Sequence, residues 1–324
     1  MEATMQRNPL LWMCLALTLL APAFAEYPER PVRLIVPFAA GGATDVVGRA
    51  LAAAMSKSMG QQVVVDNKPG AGGILAGTLL VKAPADGYTL ILGSIGMLSI
   101  GPNLRSDLPY SIKDNFVPVA QVSATPNLIV AHPSLKANNL LELIALAKAE
   151  PDKIAYGSSG PATSTHLSGE LFQAMAGVKL MHIPYKGGSQ ALNDLLAGQI
   201  PLMFDTMSAV QSVKAGKLKA FAITSERRSN LLPDIPTVAE AGLPGYKTSS
   251  WNGVLVPTGT SREIVSRLNT EVNKALASPE VQKSLAADGS ETRGGTADEF
   301  GRFIVDETQR WGRLIKAAGI KASE

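Results

Sequence analysis

Leu34-Ile35-Val36-Pro37-Phe38-Ala39-Ala40-Gly41-Gly42-Ala43-Thr44-Asp45 decides how this chain is read: an apolar run of strand type, a loop of small residues, then a helix start. The helix is expected because Val47, Ala50, Leu51, Ala54 and Met55 recur at i, i+3, i+4, i+7 and i+8, one face of a 3.6-residue period. The same order returns at Ile154-Ala155-Tyr156-Gly157-Ser158-Ser159-Gly160-Pro161-Ala162-Thr163-Ser164-Thr165-His166. A small-residue loop at the C-terminal end of a strand lets backbone N–H groups approach a ligand closely. The following helix adds roughly half a positive charge at its N-terminus. Such a place binds anions, and two of them suit one cleft between two lobes. The plainer alternative is a pair of tight turns with N-caps at Thr44 and Ser164, because glycine-rich strand-to-helix turns are common.

Outward from these loops, strand-like runs alternate with helical patterns nearly throughout. The runs are Val32 to Pro37, Val63 to Asp66, Tyr88 to Gly93, Leu128 to Ala131, Ile154 to Ser158, Met181 to Pro184, Leu202 to Asp205, Ala220 to Thr224 and Val254 to Pro257. This alternation predicts an α/β fold with parallel sheets flanked by helices. Thr260 with Glu263 and Thr296 with Glu299 have the spacing of capping boxes. Gly177, Gly198, Gly216 and Gly319 sit where helix C-caps belong. A last long helix carries Phe300, Phe303, Ile304, Trp311, Leu314 and Ile315 on one face, which predicts a clasp against the first lobe.

The first residues have the layout of a secretory signal: Arg7, an apolar run from Leu10 to Leu20, and the small-residue exit Ala23-Phe24-Ala25, with cleavage expected after Ala25. The expected location of the mature protein is the periplasm. No later stretch approaches the roughly 18 uninterrupted apolar residues of a spanning helix. The single cysteine, Cys14, lies inside the signal, so the mature chain is expected to hold no disulfide and to take its stability from its core. A chain of about 300 residues ordinarily forms two lobes. The net charge of +3 is a mild bias, and no basic block or aromatic-basic ladder supports nucleic-acid binding.

Enzyme and cofactor signatures fare poorly. Ser159 and His166 raise a hydrolase alternative, but Gly157-Ser158-Ser159-Gly160 lacks the spacing of a nucleophile elbow, and His166 falls about two residues inside a helix. His132, His166 and His182 have no zinc spacing. Pro69-Gly70-Ala71-Gly72-Gly73 has Leu75 in place of the third glycine of a dinucleotide loop, and there is no Walker-type sequence. No cofactor or metal is expected. Lys186, after a strand, reads as a solvated side chain more readily than as a ligand contact. Asp205 ends an apolar run, where a carboxylate either caps the next turn or accepts from a ligand hydroxyl or ammonium.

The residues as a set resemble the substrate-binding proteins of tripartite tricarboxylate transporters, the Bug-type periplasmic receptors. The resemblance runs through Pro31-Val32-Arg33-Leu34-Ile35-Val36-Pro37-Phe38, Gly41-Gly42-Ala43-Thr44-Asp45, Asn67-Lys68-Pro69-Gly70-Ala71-Gly72-Gly73 and Ala85-Asp86-Gly87-Tyr88-Thr89-Leu90. It continues through Tyr156-Gly157-Ser158-Ser159-Gly160, Thr165-His166-Leu167, His182-Ile183-Pro184-Tyr185-Lys186-Gly187, Leu202-Met203-Phe204-Asp205, Pro236-Thr237-Val238-Ala239-Glu240-Ala241-Gly242 and Trp251-Asn252-Gly253. It implies a type II-like Venus-flytrap fold, with residues 26–124 and 249–324 in one lobe and 125–248 in the other. It also implies a non-enzymatic receptor that holds a small carboxylate through Phe38, Gly42, Ala43, Thr44 and Asp45 in the first loop. Ser158, Ser159, Thr163 and Ser164 serve in the second, with Ser94 and Asp205 nearby. The implied partner is an integral membrane permease in two parts, served by a monomeric receptor, and a sensing receptor of the same fold is the alternative. Ala39-Ala40 and Ser94-Ile95-Gly96-Met97 depart from the common family pattern, so the ligand itself is not implied.

Overall fold

The computed structural model describes residues 27–287, 289–317, 319 and 320. The signal segment and the cleavage point after Ala25 lie outside the described residues. Two sheets form the frame. The first has six strands, β1 (Val32–Val36), β2 (Val63–Asn67), β3 (Thr89–Ser94), β4 (Phe116–Pro126), β10 (Ser249–Pro257) and β11 (Glu291–Gly294), in the order β11-β4-β10-β3-β1-β2. The second has five, β5 (Leu128–Ala131), β6 (Ala155–Ser158), β7 (Met181–Pro184), β8 (Leu202–Asp205) and β9 (Lys219–Ile223), in the order β7-β6-β8-β5-β9. The eight principal helices are α1 (Ala43–Met59), α2 (Ile74–Val81), α3 (Leu140–Ala149), α4 (Ser164–Ala176), α5 (Gly188–Leu196), α6 (Arg262–Leu276), α7 (Pro279–Ala287) and α8 (Ala297–Ala317).

The sheets are mixed, which corrects the expectation of parallel ones. β1 runs parallel to β2 and β3, and β6 parallel to β7 and β8, but β10 is antiparallel to β3 and β4, and β5 to β8 and β9. Crossing of the chain explains this. β4 ends at Pro126 and β5 begins at Leu128, so only Asn127 separates a strand of one sheet from a strand of the other. The strand that follows each crossing enters from the opposite lobe and inserts between two strands of its new sheet, β5 between β8 and β9 and β10 between β3 and β4, antiparallel to both. The sequence reading also missed β4 and β11 as strands.

Alternation builds the core. Leu34 and Val36 pack with α1 residues Val47, Leu51 and Met55, and with Leu268 and Val272 of α6. Ile35 belongs to the other face, with Leu80 of α2, Leu255, and Phe300, Ile304, Trp311 and Ile315 of α8. Both faces are covered, so β1 is apolar at every position but Arg33, whose guanidinium reaches out to Asp66 of β2. α8 is the clasp its pattern predicted: Trp251 Nε1 donates to Glu307 Oε2 at 3.1 Å, and Asn103 Nδ2 donates to the Thr308 carbonyl at 2.8 Å. The Thr296–Glu299 capping box is formed, the Thr296 N–H donating to Glu299 Oε2 at 2.8 Å and the Glu299 N–H to Thr296 Oγ1 at 3.2 Å. The other box shifts by one residue: Ser261 caps α6, while Thr260 Oγ1 donates to the Pro257 carbonyl at 2.8 Å.

Candidate functional site

The first loop leaves β1 at Pro37 and enters α1, whose N-cap is Gly42 in extended conformation, rather than Thr44 as the turn reading had it. Gly41 turns through φ +81°, a left-handed conformation that suits glycine. Asp45 then locks the loop from behind. Its Oδ2 accepts the Gly41 N–H at 2.9 Å and Arg49 Nε at 2.8 Å, and its Oδ1 accepts Asn67 Nδ2 at 2.8 Å. Asn67 Nδ2 also reaches the Phe38 carbonyl at 2.9 Å. Burial alone would raise the Asp45 carboxyl, but the bonds from Arg49, Gly41 and Asn67 outweigh it and hold the group below its usual range.

The second loop leaves β6 at Ser158 and enters α4, whose N-cap is Thr163, one residue earlier than the Ser164 expected. Thr163 Oγ1 accepts the His166 N–H at 3.3 Å and donates to the Gly160 carbonyl at 2.6 Å. The Ser159 N–H is taken by Thr165 Oγ1 at 2.9 Å. In both helices the first N–H groups, at Ala43 and Thr44 and at Ser164 and Thr165, have no carbonyl within their own helix to reach.

These two helix starts face one cavity, with about 40 Å³ open to the centre of a water-sized sphere. Phe38, Ala39, Gly42, Ala43 and Thr44 line it from the first loop, and Ser94, Ile95 and Gly96 from the end of β3. Ser159, Thr163 and Ser164 line it from the second loop, Gly187 and Gly188 from the start of α5, Thr206 from beyond β8 and Ser250 from β10. None of these residues is charged. The structure thus brings Phe38, Gly42, Ala43, Thr44, Ser94, Ser159, Thr163 and Ser164 together. Asp45, Ser158 and Asp205 are not among the lining residues. Asp205 accepts Ser208 Oγ at 2.5 Å and the Ala209 N–H at 2.8 Å, the capping arrangement of its two readings.

Sequence reasoning missed Ala39, Ile95, Gly96, Gly187, Gly188, Thr206 and Ser250. A signal existed for two of them. His182-Ile183-Pro184-Tyr185-Lys186-Gly187-Gly188 is a third strand, small-residue loop and helix start, and Gly187 at φ +156° turns the backbone toward the cavity. Thr206 and Ser250 have no such local mark.

The two lobes touch around this cavity. A Cβ added at Gly72 would lie 2.5 Å from the Pro161 carbonyl oxygen, and one at Gly96 would lie 2.6 Å from that of Ala162. Behind the contact, the crossing strands are tied to α4: Asn127 Nδ2 donates to Ser168 Oγ at 2.7 Å, and Ser168 Oγ and Thr248 Oγ1 lie 2.6 Å apart.

The suspected nucleophile pair is not formed. In this loop the serine that meets a histidine is Ser158, 2.6 Å from His182 Nε2, and it is fully buried and not among the lining residues of the cavity. His166 Nδ1 accepts the Ala162 N–H at 3.2 Å. Burial, with His182 alongside, pushes the His166 imidazole down to about 3, and burial pushes His182 down to about 4. Both are neutral around pH 7. Among the described residues no group of three His, Cys, Asp or Glu side chains comes together as a metal site.

Comparison with known proteins agrees with this architecture. The model of the tripartite tricarboxylate transporter family receptor matches residues 47–320. Protein BugT of Bordetella pertussis is 41% identical over 304 residues, covering 93% of each chain. Among solved structures, R. palustris Rpa4515 with adipate superposes with a TM-score of 0.88 at 38% identity, over 91% of this chain and 99% of that one. MatC of Rhodopseudomonas palustris with bound malate superposes with a TM-score of 0.85 at 33% identity, over 89% and 100%. The two mixed α/β lobes are therefore those of a Venus-flytrap binding protein, and the relatives are transport receptors rather than enzymes. With its match to the family model and its likeness to BugT over nearly its whole length, this chain belongs to the tripartite tricarboxylate transporter receptors, the Bug-type periplasmic binding proteins.

Proposed function

We propose that this receptor captures a small organic carboxylate between a lobe of residues 26–124 and 249–324 and a lobe of residues 125–248. It then presents the closed form to an integral membrane permease, acting as a monomer after cleavage behind Ala25. The observation that carries the reading is the convergence of the α1 and α4 N-termini, one from each lobe, on a single cavity lined by hydroxyls and peptide groups. A carboxylate placed there meets the N–H groups of both first turns and the hydroxyls of Thr44, Ser159, Thr163 and Ser164. Adipate and malate in the relatives fit the same chemistry. In this reading Phe38, Gly42, Ala43 and Ser94 complete the contact surface, while Asp45 and Ser158 hold the two loops from behind and Asp205 caps the turn after β8. Closure takes the bound carboxylate out of water, and each N–H to carboxylate bond strengthens as the local dielectric falls. The ligand thereby shifts a population from open to closed.

Thermal melting with a panel of organic acids, adipate and malate included, tests this directly. An acid at 100 times its Kd stabilises the protein by about 2.7 kcal/mol, a rise on the order of 5 °C for a chain of this size. A panel in which every acid is silent while a neutral sugar or a cation raises the melting temperature rejects the carboxylate reading.

A further inference from the structure

Two imidazoles outside the cavity, His166 buried and His182 half-buried, lie directly behind the second loop. His166, in the first turn of α4, and His182, on β7, stack with ring centroids 4.2 Å apart and planes 18° from parallel. Tyr156 of β6 stacks on His182 as well, at 4.9 Å. Each imidazole is also bonded into the loop, and at a different point. His182 Nε2 lies 2.6 Å from Ser158 Oγ, and that hydroxyl accepts the Gly160 N–H at 3.1 Å. His166 Nδ1 takes the Ala162 N–H at 3.2 Å. The stack therefore grips the loop on both sides of Pro161.

The gripped segment needs holding. Gly160 sits at φ +123°, and Ala162 at φ +57°, a left-handed conformation that an alanine adopts only at a cost. The same segment presents Ser159, Thr163 and Ser164 to the cavity and carries the Ala162 carbonyl that meets Gly96 of the other lobe. Acceptance of the Ala162 N–H requires a lone pair on His166 Nδ1, so the ring proton sits on Nε2. That side faces Glu170 Oε1 at 3.7 Å, and Glu170 is itself held by Tyr156 Oη at 2.6 Å and Gln173 Nε2 at 2.9 Å. The burial that keeps both imidazoles neutral keeps this bonding pattern intact at neutral pH.

We propose that the paired imidazoles of His166 and His182 position the second loop through their hydrogen bonds, holding Ser158 to Ala162 in the turn that offers Ser159, Thr163 and Ser164 to the ligand. The consequence for affinity rests on the carboxylate reading; the consequence for loop order does not. Two substitutions at one position separate packing from hydrogen bonding. His182→Phe keeps an aromatic ring in the stack and removes the bond to Ser158. His182→Gln removes the ring but carries an amide that reaches about as far as Nε2.

The measurements are amide hydrogen exchange across residues 158–163 in the ligand-free protein and calorimetric Kd values for malate and adipate. His182→Phe is expected to speed loop exchange and weaken Kd by roughly three- to tenfold, one hydrogen bond's worth. His182→Gln is expected to stay near the unsubstituted protein in both. Unchanged loop exchange in His182→Phe, or equal impairment in the two variants, overturns the proposal. Should His182→Phe fail to fold, Ser158→Ala removes the same bond from the loop side and must show the same faster exchange. If the unsubstituted protein binds no acid of the melting panel, malate and adipate included, the carboxylate reading loses its support while the exchange data still decide the positioning role.

Discussion

The carbonyl oxygen of Ala162 in the second lobe meets Gly96 in the first so closely that a methyl group at residue 96 would lie 2.6 Å from it. Glycine is required there by the approach of the other lobe. Gly96→Ala is therefore expected to prop the lobes apart. A tenfold fall in the closed population weakens apparent affinity by the same factor, so Kd for a captured acid should rise about tenfold or more. The ligand-free melting temperature should change little, because each lobe keeps its own core. Calorimetry paired with small-angle scattering checks both halves of the expectation.

At Gly42 the reverse separation is expected. A Cβ there would meet nothing closer than the Ala39 carbonyl oxygen at 3.6 Å, and the backbone is already in the extended conformation of an N-cap. Gly42→Asp thus gives α1 a good capping side chain, worth a few tenths of a kcal/mol, while aiming a carboxylate at the place proposed for the ligand's own. Binding should be lost with the melting temperature held or slightly raised. Gly42→Ala, measured alongside, should bind with only a small loss. If Gly42→Asp binds acids as well as the unsubstituted protein, the first loop is not part of the site.

Acid should loosen the fold through the two stacked imidazoles, His166 buried and His182 half-buried. Their folded values, about 3 for His166 and about 4 for His182, lie below the 6.5 of an exposed imidazole. The unfolded chain therefore binds protons that the folded one refuses. Their contribution to stability is complete above pH 6.5 and is lost as pH falls through 5 toward the folded values, at about 1.4 kcal/mol per pH unit for His166 alone. Asp45, held below its usual range, adds a loss of the same sign at still lower pH. Melting curves from pH 7.5 to 4.5 should show this slope, and a His166→Gln/His182→Gln variant should flatten it whatever its melting temperature at neutrality.

Trp311 is fully buried in the first lobe, and its indole N–H has no hydrogen-bond partner among the described residues. Trp311→Phe removes an unmet donor while keeping a ring in place, and should change stability by no more than about 1 kcal/mol. Trp311→Ala leaves a void beneath the α8 clasp and should cost about 3 to 5 kcal/mol in denaturant unfolding.

What the sequence disclosed was whatever is local. β1, the loop through Gly41 and the face of α1 follow from residues adjacent in the chain, and all lie where the pattern put them. β4 escaped because Pro118 and Pro126 interrupt it, and because its register against β10 shifts between Asn252 and Gly253 and again between Val254 and Leu255, which breaks the period of two. β11, Glu291-Thr292-Arg293-Gly294, is a polar edge strand with no apolar alternation to find. Strand direction was hidden for a different reason. Whether β5 and β10 run with or against their neighbours depends on the crossing at Asn127 and its return near Thr248, and no short window of sequence records it. In the cavity, the loop hydroxyls were legible because a small-residue loop names its own role. Thr206 and Ser250 come to the cavity from the ends of distant strands, and the side-chain type of Asp45 or Ser158 does not say whether it faces the cavity or the loop behind it.

Among the described residues, the cavity lining offers dipoles and hydroxyls but no side-chain cation. An anion bound this way forms no ion pair that dissolved salt could screen, and its partners act over hydrogen-bond distances much shorter than the roughly 8 Å screening length of physiological saline. A carboxylate held in the proposed way is expected to bind at nearly the same affinity in dilute and in concentrated surroundings, so that occupancy would report the supply of ligand rather than the ionic strength of the medium around the cell.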